Sequence, residues 1–251
     1  MRSGLAALAA ACIATAGTAG AAEVTVMSGG AVRTAFSAAV PGWEKASGHK
    51  VAAAFAPAGD LRKKIAAGER ADVLIIPAEN FAALEKEGAI DPATRRDLGA
   101  VAMGAAVKEG ARVPDISTPD KLKTTLLAAK SVTYMDPERG TSGKHFDEGV
   151  LAKLGVRDEV RAKAKLGEGG YIAEKVASGE VEIAFHQMTE ILPVKGITVV
   201  GFLPAELQKT TVYSGAVMKG ARNPREAQAL LDYLASPEGR KYFLERGFTA
   251  P

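Results

Sequence analysis

Three times along this chain an apolar run ends in a small-residue turn that leads straight into a helical pattern. The first is Val24-Thr25-Val26-Met27, turning through Ser28-Gly29-Gly30 into apolar positions Val32, Ala35, Phe36 and Ala39, the spacing of one helical face. The second runs from Val51–Phe55 through Ala56-Pro57-Ala58-Gly59 into a helix for which Asp60 is a natural cap. The third runs from Ser131–Met135 through Asp136 to Lys144 into Val150, Leu151 and Leu154. A glycine turn, Gly167-Glu168-Gly169-Gly170, opens a fourth helix over 171–177. Such a corner leaves backbone N–H groups unpaired at the helix start, and these suit a small anion. The plainer reading of Ser28 is a helix cap.

Between these corners strands alternate with helices, which predicts an α/β chain with mainly parallel sheets. Asp72–Ile76 reads as a buried strand and Asn80–Glu87 as a short helix. Pro41 predicts a kink or break in the first helix, since proline cannot continue a helix interior. Leu98–Val107 and Thr211–Met218 are apolar enough to cross between two bodies, and 224–248 reads as helical. One internal echo points to two similarly built halves. Lys64-Ile65-Ala66-Ala67-Gly68-Glu69 leads into Asp72-Val73-Leu74-Ile75, and Lys175-Val176-Ala177-Ser178-Gly179-Glu180 leads into Glu182-Ile183-Ala184-Phe185.

The start of the chain predicts export. Arg2, an apolar run from Leu5 to about Ala16 and small residues at 19–22 have the layout of a secretory leader, cleaved near Ala21 or Ala22. The single cysteine, Cys12, lies inside that leader; Ala9-Ala10-Ala11 before it is a poor match to a lipid-attachment site. The mature chain then has no thiol chemistry, no disulfide and no cysteine metal site. With 32 basic and 29 acidic residues and no basic stripe, the charge balance argues against a nucleic-acid surface.

Two catalytic readings fail on spacing. Gly140-Thr141-Ser142-Gly143-Lys144 is not a phosphate loop: its opening glycine would fall on Glu138, and His145 stands where Ser or Thr is required. The three histidines, His49, His145 and His186, stand near no Gly-x-Ser-x-Gly elbow, and no His/carboxylate group has metal-ligand spacing. His186 is read as a binding donor rather than a base. The expectation is a binding protein, not an enzyme, without cofactor or metal.

In order, Val-x-Met-Ser-Gly-Gly, Ala-Pro-Ala-Gly-Asp-Leu, Ala-Gly-Glu-x-Ala-Asp-Val-Leu-Ile and Ala-Ser-Gly-Glu-Val-Glu-Ile-Ala resemble the periplasmic molybdate-binding proteins, solute-binding components of ABC importers. The closing stretch from Leu203-Pro204 to Gly247-Phe248 is similar too. The resemblance implies a two-lobed periplasmic-binding-protein-like α/β fold, with mixed sheets flanked by helices and two crossing strands as hinge. Residues 1–22 would be the signal peptide, 23–104 and 213–251 the first lobe, and 105–212 the inserted second lobe. It also implies a periplasmic monomer that holds a small anion between its lobes and delivers it to an inner-membrane permease.

Carried over by position, the family's first ligand serine falls on Ser28, beside Gly29. Its second falls on or beside Ala58, next to Gly59, where no hydroxyl is available. The N–H-donating loop of the second lobe matches Gly140, Thr141 and Ser142, with a further position at Gly169 and Gly170. The cleft tyrosine falls on Gln187, next to His186. Arg139 in the third corner and Arg33 after the first would suit a carboxylate, or else lie solvated on the surface. The ligand is therefore read as molybdate or tungstate, with a small organic acid as the alternative. A secreted hydrolase and a sensor's binding protein stand behind both.

Overall fold

The computed structural model describes residues 20–251. The leader over 1–19, with Cys12, lies outside the described residues. Among the described residues nine strands form two sheets. The first has the order β2-β1-β3-β9-β4, from β1 (Glu23–Ser28), β2 (Lys50–Phe55), β3 (Val73–Pro77), β4 (Arg96–Val101) and β9 (Thr211–Val217). The second has the order β6-β7-β5-β8, from β5 (Met103–Lys108), β6 (Val132–Tyr134), β7 (Ile183–Gln187) and β8 (Ile197–Phe202). Only β1/β2, β1/β3 and β6/β7 are parallel; the four pairings made by β5 and β9 are antiparallel. The sheets are mixed, not mainly parallel, because each crossing strand enters a sheet against its neighbours.

Strand β3 shows why the first lobe has this form. All five of its residues are buried, as a strand covered on both faces requires. Val73 and Ile75 point into one core with Phe36, Trp43, Leu230, Leu231 and Phe243. Leu74 and Ile76 point into the other with Leu61, Ile65, Phe81 and Leu84. These partners come from α1 (Arg33–Ser47), α2 (Ala58–Ala66), α3 (Phe81–Lys86) and two C-terminal helices, 224–235 and 237–244. Helix α1 runs unbroken through Pro41 and stops at Gly48 with φ 75°. Burial of Ala39 and Trp43 on either side of the proline holds the helix together, so the expected break does not occur.

The second lobe packs α4 (Pro119–Ala128) and a helical run over 141–154 on its sheet. That run opens as α5 (Thr141–Lys144), widens into a π-helical turn over His145–Leu151, and ends at Gly155. Phe146 stacks on Phe185 with ring centroids 4.6 Å apart and tilts against Tyr134 at 5.0 Å. Below it the fully buried Asp147 takes hydrogen bonds from Tyr134, Arg157 and Arg161.

The chain passes from β4 to β5 through Ala102 and returns over 203–210 into β9. Gln208 ties the two passages: its Oε1 accepts from Met103 N–H at 3.0 Å and its Nε2 donates to Met103 O at 2.8 Å. A third tie is made after β7, where Met188 and Ile191 enter the first lobe's core.

Candidate functional site

The chain reversals face one cavity of ≈ 290 Å³ between the lobes. From the first lobe come Gly30, Arg33, Phe55 to Ala58, Asp60, Pro77 and Tyr213. From the second come Met135, Arg139 to Ser142, Glu168 to Gly170, His186 and Glu190. A larger hollow of ≈ 660 Å³ lies in the second lobe beside α4, where Lys121 is already paired with Asp115 at 2.7 Å.

Of the residues anticipated from sequence, Ala58, Arg139, Gly140, Thr141, Ser142, Gly169, Gly170 and His186 line the cavity. In the run over 141–154, Lys144 is the first residue whose N–H finds a carbonyl one turn back, Gly140 O at 3.0 Å. The N–H groups of Thr141, Ser142 and Gly143 therefore have no acceptor within the helix. No side chain caps this end.

Four anticipated residues are not on the wall. Ser28 is fully buried, and its hydroxyl donates to the carbonyl of Gly29 at 3.2 Å. Gly29 donates its N–H to Ile75 O at 2.8 Å. Gln187 is buried, and its Nε2 donates to Thr211 Oγ1 at 3.2 Å. Gly59 closes the lobe contact instead: its N–H donates to Arg139 O at 2.8 Å. Asp60 is not the cap of α2 either. Pro57 holds that place, and Asp60 lies in the first turn, reaching across to Arg139.

The wall holds several groups that sequence reasoning missed. Glu190 is buried, and a Cβ added to Gly30 would meet its Oε1 at 2.5 Å. The start of the first helical run is thus faced by the chain's own carboxylate, which the helix dipole favours. Glu190 Oε2 also lies 3.1 Å from His186 Nδ1, though the two are not aligned as a hydrogen bond. His186 Nε2 is buried with no partner at all. A tyrosine does stand in the cavity, but it is Tyr213 from β9. Burial, with Glu190 and Glu79 nearby, holds its phenol well above the ordinary tyrosine range, so it remains a neutral donor.

The two arginines differ. Arg139 donates to Asp60 through Nε at 3.0 Å and Nη2 at 2.8 Å, and to Glu168 through Nη1 at 3.1 Å. Hydrogen bonding to Asp60 holds its guanidinium more firmly charged than usual. Arg33 has no carboxylate partner among the described residues; its guanidinium carbon stands 4.7 Å over the Phe55 ring. That stacking fixes it at the cavity with its charge unspent.

Residues 24–249 match the family described as bacterial extracellular solute-binding protein. The chain belongs to that family. Among relatives of this solute-binding protein, one from a Pseudomonas species, named aconitate isomerase, is 34% identical over 89% of this chain and 86% of its own. The molybdate-binding protein ModA of Escherichia coli K12 is 30% identical over 90% of this chain and 89% of its own. Among solved structures, the periplasmic molybdate-binding protein of Azotobacter vinelandii superposes with a TM-score of 0.77 at 16% identity, covering 91% of this chain and 99% of that one. The fold is that of the periplasmic binding proteins. No helix among the described residues is long and apolar enough to cross a membrane.

Proposed function

We propose that this chain is the extracytoplasmic binding component of an ABC importer and that its cavity holds a small organic carboxylate. The observation that carries the choice of ligand is Arg33, a cation fixed on the wall without an acid partner among the described residues. Arg33 is half-buried, so its charge is open to an incoming anion, and a planar guanidinium fits a carboxylate through two parallel hydrogen bonds. The hydroxyl donors expected of a tetrahedral-oxyanion site are missing on the first lobe: Ser28 is committed to Gly29, and residue 58 is alanine. The relative named for aconitate, a small carboxylate, points the same way.

In this reading Arg33 and Tyr213 hold the ligand from one lobe. Thr141, Ser142 and the free N–H groups of their helix hold it from the other. The lobes hinge where the chain crosses at Ala102 and at 203–210. A ligand bridging them favours the closed form by its difference in affinity for closed over open, and a membrane permease reads that form. The protein works as a monomer. Family membership alone does not make it a pure binder, since one relative bears an enzyme's name.

A second reading, molybdate or tungstate, is supported by the free N–H groups at Thr141–Gly143 and by the two relatives named for molybdate. A thermal-shift and calorimetric panel of molybdate, tungstate, sulfate and small di- and tricarboxylates separates the two. At 100 times its dissociation constant a ligand stabilises by about 2.7 kcal/mol. The expected result is such a shift with a carboxylate. A shift with molybdate or tungstate alone overturns the choice of ligand.

A further inference from the structure

We propose that the His186–Glu190 pair is a proton-transfer device. It lets the cavity move a proton on an unsaturated carboxylate as well as hold it. The inference rests on the carboxylate reading above and adds chemistry to it.

The placement of Glu190 is the starting point. A site built only to hold an anion gains from positive or neutral donors. Here the wall carries a buried carboxylate, and that carboxylate lies 3.1 Å from Nδ1 of a buried histidine. A carboxylate behind an imidazole favours the proton on Nδ1 and leaves Nε2 with its lone pair. The contact is not aligned as a hydrogen bond, and catalytic hydrogen bonds often tighten only when substrate is bound.

His186 Nε2 has no partner in the protein and almost no solvent exposure. Leaving such a group unsatisfied costs about 1–3 kcal/mol. His186 is one of the residues lining the cavity, and in this proposal a bound ligand draws Nε2 to it and completes that group. Gly30 lacks a side chain where Glu190 Oε1 needs the space.

The step balances without a co-reactant. Nε2 takes a proton from a carbon that is allylic to the ligand's double bond. The electron pair of the broken C–H bond spreads over the allylic system and its carboxylate. Arg33 lines the same cavity from the other lobe and would stabilise the charge that develops there. The imidazolium returns its proton to the far allylic carbon, and the double bond migrates. Nothing is oxidised or reduced. His186 is the proton carrier; Glu190 is a positioning residue.

The test is proton NMR in D2O with itaconate, citraconate and cis-aconitate, with binding of each measured in parallel by calorimetry on the same preparation. At least one that binds is expected to take up deuterium at its allylic carbons far faster than in buffer. His186→Asn is expected to slow exchange 10²–10⁴-fold at saturating ligand, the usual share of a general base, so that any loss of affinity is read separately by calorimetry. Glu190→Gln is expected to slow exchange and Glu190→Asp to restore part of it, which a packing role would not produce. Binding without exchange in the wild-type protein overturns the proposal and leaves the carboxylate reading standing. If none of the three binds while molybdate does, the carboxylate reading fails and the proposal with it.

Discussion

Asp60 Oδ2 accepts both Nε and Nη2 of Arg139, at 3.0 and 2.8 Å, and so joins one lobe to the other across the mouth of the cavity. Both side chains keep partial access to water, and such pairs contribute only about 0–1 kcal/mol. The pair's main effect is therefore geometric. It sets how the lobes meet and uses up the charge of Arg139, which leaves Arg33 to meet an anion. Asp60→Asn should change the melting temperature little. It should widen the molecule measurably in solution scattering with ligand present.

Gly59 makes the next contact in the same seam. A Cβ there would meet Arg139 O at 2.7 Å and Glu138 O at 2.8 Å, backbone atoms that have no rotamer to change. Gly59→Ala should hold the lobes apart. We expect ligand affinity to fall more than tenfold (over about 1.4 kcal/mol, since that much is a factor of ten), with the fold intact by circular dichroism. Normal affinity in this variant would show that the seam is not needed for closure.

Arg33→Ala removes the one unpaired cation identified on the wall. Hydrogen bonds to charged groups contribute about 1.5–3 kcal/mol, so the dissociation constant of a carboxylate ligand should rise by roughly 10- to 150-fold. Arg33→Lys keeps the charge but loses the fork and the stacking on Phe55, and should recover only part of the loss. Isothermal calorimetry on the three proteins gives the comparison.

Ser28→Ala should leave ligand affinity within about twofold, because its hydroxyl is sealed against Gly29 O rather than facing the cavity. Sequence reasoning expects the opposite. A tenfold loss on calorimetry would put Ser28 back among the ligand's neighbours.

Acid should find two weak points. Burial by itself would raise the carboxyl of Asp147, but hydrogen bonds from Arg161, Arg157 and Tyr134 outweigh it and the carboxyl sits below its ordinary value. Asp72 is likewise lowered: burial raises it, and donors on Thr25, Asn223 and Arg222 outweigh that. A lowered folded-state value stabilises the protein above the unfolded carboxylate range, about pH 4. That contribution is lost as pH falls through the folded values. Asp147→Asn should cost about 1–3 kcal/mol at pH 7, and the gap to wild type should narrow below about pH 4. Urea melts of both proteins at pH 7 and pH 3 measure it.

The corners were legible because their signals are local. Small residues after an aliphatic run, then helical spacing, identify Ser28–Gly30, Ala56–Gly59 and Gly140–Ser142 without any knowledge of the rest. What faces those corners is not local. Glu190 lies in a four-residue helix and reads as an ordinary solvated acid, yet its partner Gly30 is 160 positions away in the chain. Tyr213 sits inside an apolar strand whose pattern says only that it is buried. Arg33 could be named as a candidate but not separated from Arg139, since pairing with Asp60 and Glu168 depends on how the lobes meet. The π-helical turn after Lys144 left no mark in the apolar spacing.

The most direct test of the account is a crystal structure of the protein with the tightest-binding member of the anion panel. We expect the anion in the interlobe cavity, bidentate on Arg33 and within hydrogen-bond reach of the Thr141–Ser142 N–H groups. Density for the anion outside that cavity, or against Ser28 with Arg33 turned away, would contradict it.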